Sequence, residues 1–179
     1  MNKQILFQLF ALVTSISIAQ NQRAEGKIIE NFGTTFIIDN PDIKTNTTAN
    51  FKVIFDVSTT SSKNNVINKN IVTAARFLNM HANEGMELKQ LKVAITIHGA
   101  AWKDVLTDAE YKKKFGVVNP NSKLIKELNK AGADIIICGQ TASFREMNRQ
   151  AVVPEVKFAL SAMTALIQYQ NKGYTFIKF

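Results

Sequence analysis

The sequence contains one cysteine and two histidines among 179 residues. A lone cysteine excludes an internal disulfide, so the chain is not a disulfide-stapled scaffold. Together with two histidines it is too small a ligand set for a structural zinc site. Glycine and proline number only eight and three, which excludes a collagen-like repeat. No apolar run reaches the roughly 20 residues that a helix needs to cross a bilayer, so the chain is not a polytopic membrane protein. Acidic residues are the minority, 14 against 22 lysines and arginines, for a net charge of +8. The basic residues are nevertheless scattered. Their only dense run is Lys112-Lys113-Lys114, between Tyr111 and Phe115, and no basic stripe with interleaved aromatics follows it. A solvated helix face accounts for that run, and no nucleic-acid partner is indicated. There is no P-loop, no G-x-G-x-x-G, no His-Glu-x-x-His and no serine in a nucleophile elbow, so no cofactor or metal is implied. What is present (46% hydrophobic, 20% charged, 9% aromatic residues) is the composition of one ordinary globular domain.

Met1 to Lys3 supply a short positive start, Ile5 to Ile18 a mostly apolar run, and Ser17-Ile18-Ala19 the small residues that signal peptidase reads. The run is about 14 residues, too short for a stable membrane anchor. Residues 1–19 therefore read as a cleaved export signal, with Gln20 as the mature N-terminus and a periplasmic or secreted destination. In an oxidising compartment a lone cysteine is buried, paired with another chain, or chemically employed.

Residues 20–50 read as an N-terminal hairpin and loop. Lys27–Glu30 and Thr35–Ile38 are expected to be its strands, around Asn31-Phe32-Gly33. Residues 51–179 then alternate between the two periodicities. Phe51–Val57, rich in β-branched and aromatic residues, predicts a strand. Ile67, Ile71, Ala74, Ala75, Leu78 and Ala82 mark the inner face of a helix that stops at Gly85. Leu91–Ile97 is a second strand, and Thr107 with Glu110 forms a capping box for a short basic helix. Leu124, Ile125, Leu128 and Ala131 mark the next helix. Asp134–Cys138 is a third strand, and Ser143 with Glu146 reads as a second capping box. After Pro154 the pattern predicts the longest helix, Glu155 to Asn171, with Val156, Ala159, Met163, Leu166, Ile167 and Gln170 along one side. Tyr174–Phe179 closes the chain as a strand. Continuous apolar strands separated by helices predict a three-layer α/β/α domain with a mostly parallel sheet, a flavodoxin-like architecture.

In open parallel sheets, ligands bind beyond the carboxyl ends of the strands. Asp56–Ser58, His98–Ala100 and Cys138–Thr141 all fall on that rim. Cys138 is the candidate nucleophile, since a helix start just beyond it, with Arg145 near, would favour the thiolate. It also fits a small buried hydrophobe, a common role for cysteine at strand ends. His98 reads either as an acid–base group or as a satisfied polar residue at a strand end. Gly99, Trp102, Gly139, Gln140 and Thr141 are candidate ligand contacts: Gly139 for close backbone approach, Trp102 as a pocket wall or packing residue, Gln140 and Thr141 as hydrogen-bond donors or turn residues. His81, late in its helix, reads as exposed or capping.

The order Lys52–Val57, Val93–Gly99, Asn119 with its helix, Ala131–Thr141, Ser161–Met163 and Gly173-Tyr174 resembles the DsrE/DsrF-like family of small α/β proteins. The resemblance spans Phe51 to Phe179. It implies a homo-oligomer, trimer or hexamer, and a persulfide relay in which a cysteine just after a strand, the place of Cys138, carries sulfur between a donor and an acceptor protein or small thiol. The family's relays are cytoplasmic, whereas this chain reads as exported and carries an added N-terminal segment. Two functions are therefore expected in competition: a sulfurtransferase-like persulfide carrier, and a non-catalytic ligand-binding or assembly module with a structural cysteine.

Overall fold

The computed structural model describes residues 22–179; the expected export signal lies outside the described residues. The described chain opens with a two-stranded antiparallel ribbon, β1 (Arg23–Ala24) and β2 (Thr35–Phe36). The ribbon partner of Thr35–Phe36 is therefore Arg23–Ala24, not the expected Lys27–Glu30, which forms a turn instead. The reason lies some fifty residues away. The Asn79 carboxamide oxygen accepts the N–H groups of Ile28 and Ile29 at 3.1 and 2.9 Å, and its nitrogen donates to the carbonyls of Ile29, Phe32 and Gly33. One buried side chain thus satisfies backbone groups that a hairpin ladder would have used. Ile29 enters the core beside it. Gly33 is required here: its φ is +73°, and a Cβ would meet the Arg76 nitrogen at 2.5 Å.

The rest of the chain builds one sheet of five parallel strands: β3 (Phe51–Val57), β4 (Leu91–Ile97), β5 (Asp134–Cys138), β6 (Val156–Ala159) and β7 (Thr175–Lys178), in the order β6-β5-β4-β3-β7. Between them run α1 (Lys69–Asn83), α2 (Asp108–Phe115), α3 (Ser122–Lys130), α4 (Gly139–Phe144) and α5 (Ala162–Asn171). The period of two sorts the strands onto two faces. Val53, Phe55, Val57, Val93, Ile95, Ile97, Ile135 and Ile137 meet Ile71, Leu78, Leu124 and Leu128 of α1 and α3 in the main core. Ile54, Ala94 and Ile136 point the other way and pack against Ala165 of α5. The expected three-layer α/β/α architecture holds, with every pairing in the main sheet parallel.

The segment after Pro154 differs from expectation. Val156–Ala159 is a strand on the open edge of β5, and the helix begins only at Ala162, capped by the Ser161 hydroxyl, which accepts the Thr164 N–H at 3.0 Å. Val156, Ala159, Met163 and Ile167 suit a helical period, but the free edge of β5 offers a backbone ladder that a helix would leave unpaired. The inner face of α5 is formed by Ala162 and Ala165, while Met163 and Ile167 face outward. Two shorter features also change. The Thr107 hydroxyl caps α2 as expected, but its own N–H bonds the Ala151 carbonyl instead of the Glu110 side chain. Ser143 lies inside α4 and Glu146 beyond its end with φ +54°, so the second capping box does not form. Of Met80, Met86, Trp102 and Phe115, four apolar residues outside the clear core patterns of the sequence, the last three contribute to or pack against the main core and Met80 is exposed.

Loops at the carboxyl edge of the sheet are tied by a buried polar knot. Asp104 accepts from Thr60 Oγ1 at 2.8 Å, Asn68 Nδ2 at 2.7 Å and Asn121 Nδ2 at 3.2 Å. Burial pushes its carboxyl up from the ordinary range, against those hydrogen bonds. The knot fixes the β3–α1 loop to the segments after β4 and before α3, and so holds the rim on which the candidate site lies.

Candidate functional site

Cys138 ends β5 and begins α4 directly. Its Sγ takes the N-cap position and accepts the Thr141 N–H at 3.5 Å. The sulfur lies on the α5 side of the sheet, where the N–H groups of Ala162, the first residue of α5, and of Gln140 also reach it, together with the Thr141 hydroxyl. Burial alone would push the thiol up. The donors of Thr141, Ala162 and Gln140 outweigh it and hold the Cys138 thiol below its ordinary range. The thiolate is thus favoured by amides from the starts of two helices, α4 and α5, of which the sequence suggested one. The start of α5 went unseen because residues 155–171 read as one unbroken helix; the missed signal is Ser161 with Thr164, an N-cap placed just before Ala162. Arg145 does not take the expected part. Its guanidinium stacks over Trp102 and Phe144 at 5.5 and 5.2 Å.

Gly139 permits close approach, but of the protein to itself. A Cβ there would meet the Ala159 carbonyl at 2.5 Å, so glycine lets β6 lie against the start of α4. Gln140 is exposed and donates to the Leu160 carbonyl at 3.3 Å. Trp102 packs half-buried near Phe115, ring centroids 6.3 Å apart, on the main-core side of the sheet. His81 is half-buried, its ring against Phe51 and Phe77 and its Nδ1 bonded to the Phe77 carbonyl.

His98 follows β4. Its Nε2 lies 2.8 Å from Oδ1 of Asp56, a carboxylate in β3 that is 5% exposed, and Lys178 Nζ of β7 lies 3.3 Å from Oδ2. Asp56 shares a face with Ile54, so the pair also lies on the α5 side. Gly99 donates its N–H to Thr141 Oγ1 at 3.4 Å, linking the His98 loop to the Cys138 loop. Cys138, His98, Gly99, Gly139, Gln140 and Thr141 therefore meet at one rim, and Trp102 stands apart on the opposite side. Asp56 and Ala162 join the group. Asp56 had a legible signal, a charge near the end of a strand otherwise apolar from Val53 onward. Among the described residues no three His, Cys, Asp or Glu side chains converge as metal ligands. Phe144 in α4, Leu160 after β6, and Met163 and Ile167 in α5 are large, apolar and exposed.

A family model described as the DsrE/DsrF-like family matches residues 52–179. No functionally curated protein matches the sequence. Among solved structures, the chain is similar to a protein of unknown function from Methanobacterium thermoautotrophicum, at 15% identity and a TM-score of 0.55, over 73% of this chain and 100% of that one. At that identity the likeness concerns the fold alone.

Proposed function

Because the chain belongs to the DsrE/DsrF-like family, we propose that it is an exported persulfide carrier with Cys138 as the sulfur-bearing residue. The observation that carries this reading is the Cys138 sulfur at the N-cap of α4, where it accepts the Thr141 N–H at 3.5 Å and the amides of Ala162 and Gln140 add to the pull toward the thiolate. Such a nest stabilises a thiolate as attacking and as leaving group. In loading, the thiolate attacks the outer sulfur of a thiosulfonate donor, the sulfur–sulfonyl bond breaks, and a sulfinate leaves with the electron pair. In discharge, an acceptor thiolate attacks the outer sulfur of Cys138–S–SH and the Cys138 thiolate leaves. No external oxidant enters either step. Cys138 itself is only 5% exposed. The outer sulfur of a persulfide stands about 2 Å beyond Sγ, which brings it nearer to exchange partners than the thiol itself.

Residues 1–19 support export as a cleaved signal, to the periplasm or the medium. The exposed Phe144, Leu160, Met163 and Ile167 on α4, α5 and the turn between β6 and α5 support a homo-oligomer, of the trimeric or hexameric kind that the family's relays form. Light scattering at micromolar concentration reads this directly, and a monomer would remove it.

The test of the carrier is mass spectrometry after incubation with a thiosulfonate. The protein gains about 32 Da, one sulfur atom, which dithiothreitol removes, and Cys138→Ser gains nothing. One observation favours a second reading, a non-catalytic binding or assembly module: the sulfur is buried and caps α4. A thiol that takes up no sulfur, and labels only after denaturation, would decide for that module.

A further inference from the structure

Asp56 is a buried charge that the sulfur steps above do not use. Burying a carboxylate costs solvation that an apolar side chain on the same face, such as Ile54 or Ile136, avoids. Both its oxygens are nevertheless engaged, by His98 and by Lys178. Ile97 pairs with Ile137 across β4 and β5, and His98 and Cys138 stand one position beyond them. Adjacent strands run about 4.8 Å apart. Asp56, His98 and Cys138 therefore occupy three neighbouring strands on one face, with the Gly99–Thr141 bond across the last gap. Among the described residues, His98 Nδ1 has no hydrogen-bond partner, Nε2 being the nitrogen turned to Asp56.

We infer that Asp56 and His98 form the base that deprotonates the incoming acceptor thiol, His98 exchanging the proton and Asp56 positioning its ring. This rests on the carrier reading. The proton of the acceptor R–SH passes to His98, R–S⁻ attacks the outer sulfur, the S–S bond of Cys138–S–SH breaks, and its electron pair returns to Cys138 Sγ in the amide nest. R–S–SH departs, and His98 releases its proton to water. Loading makes less demand on a base, because the donors around Cys138 already favour its thiolate and the thiosulfonate brings no proton to remove. The base thus serves chiefly one half-reaction, and its substrate is a protonated thiol. Lys178 holds the second Asp56 oxygen and keeps the carboxylate from turning away from the ring.

Single-turnover kinetics separate the halves. His98→Ala should slow discharge of the preloaded protein to a small thiol about 100-fold and loading from thiosulfonate far less. Added imidazole should restore part of the discharge rate. Asp56→Asn should slow discharge in the same direction, and the double variant should be no slower than His98→Ala alone, since the two residues act as one unit. Unchanged discharge in His98→Ala would overturn the inference. So would equal slowing of both halves without imidazole rescue, which is what a packing role produces. Should Asp56→Asn fail to fold, imidazole rescue of His98→Ala decides by itself. A wild-type protein that takes up no sulfur fails at the loading step, which removes the carrier reading before the base is tested.

Discussion

The N–H of Thr141 points at the Sγ of Cys138 across 3.5 Å, so the cysteine proposed to carry sulfur also caps the helix that follows it. The two roles make opposite demands on a substitution. Serine is among the preferred N-cap residues, and its hydroxyl accepts the same N–H. Cys138→Ser should therefore unfold within a few tenths of a kcal/mol of wild type. Cys138→Ala, which removes the acceptor, should lose about 1 kcal/mol. Urea titration of the three proteins checks this. A serine variant as unstable as the alanine variant would mean that packing of the sulfur, and not capping, holds the site.

The same donors set the thiol's reactivity. Because the folded thiol is held below its ordinary range, its thiolate fraction at mildly acidic pH exceeds that of a free cysteine, and its advantage in alkylation should shrink as pH rises. Thr141→Val deletes the hydroxyl donor and leaves the N–H. Its iodoacetamide profile should move toward higher pH, while the fold persists. Identical profiles for wild type and Thr141→Val would show that the hydroxyl adds nothing.

Local sequence carried the middle of the sheet completely. Phe51–Val57, Leu91–Ile97 and Asp134–Cys138 have the expected bounds, because a strand covered on both faces is apolar at nearly every position and bounded by polar residues. β6 was hidden for the converse reason. Val156-Lys157-Phe158-Ala159 is short, lies on an edge and buries only Val156 fully, so its pattern fits a helix equally well. The N-terminal turn was hidden because what fixes it, Asn79, stands in α1 at a position that reads as an ordinary polar interruption between Leu78 and Met80. Within the site, the rim itself was legible from strand ends. Asp56 stood on that rim too, but its pairing with His98 depends on which strands lie side by side, and the contribution of Ala162 depends on where α5 begins.

Asn79 yields a prediction of its own. Replacing it by leucine keeps the volume and removes acceptor and donor together, leaving the Ile28 and Ile29 N–H groups and the Ile29, Phe32 and Gly33 carbonyls without that partner. Each buried unsatisfied group costs roughly 1–3 kcal/mol, but this segment can reach water by lifting off α1, which limits the global loss to about 2 kcal/mol. Limited proteolysis should then cut within residues 26–34 well before the sheet unfolds. A variant that resists cleavage there as wild type does would show that Ile29 and the ribbon suffice to hold the segment.

At the opposite end of β5, Asp134 accepts from Tyr169 Oη at 2.6 Å and pairs with Lys157. Burial would push its carboxyl up, but the bonds from Lys157 and Tyr169 prevail and the folded value lies below the ordinary 3.8. Its contribution to stability is therefore fully present above the unfolded value and is lost as pH falls through the folded one. Tyr169 is displaced the other way: burial first, then the bond to the Asp134 carboxylate, raise its hydroxyl above the ordinary 10.0. That contribution is present below the unfolded value and is lost as pH rises toward the folded one. Tyr169→Phe removes the Tyr169 effect and the tyrosine's share of the Asp134 effect, while Lys157 still holds Asp134 down. At neutral pH it should cost about 1.5 kcal/mol, the worth of a hydrogen bond to a charged group. Its penalty relative to wild type should narrow below pH 3.8, as Asp134 protonates in both proteins, and narrow again above pH 10. Tyr174, also raised by burial and by Asp134, keeps some alkaline sensitivity in the variant. Urea midpoints measured across both ranges read the two limbs, and a penalty that stays constant with pH would mean that the ring of Tyr169, and not its hydroxyl, fastens α5 to the sheet.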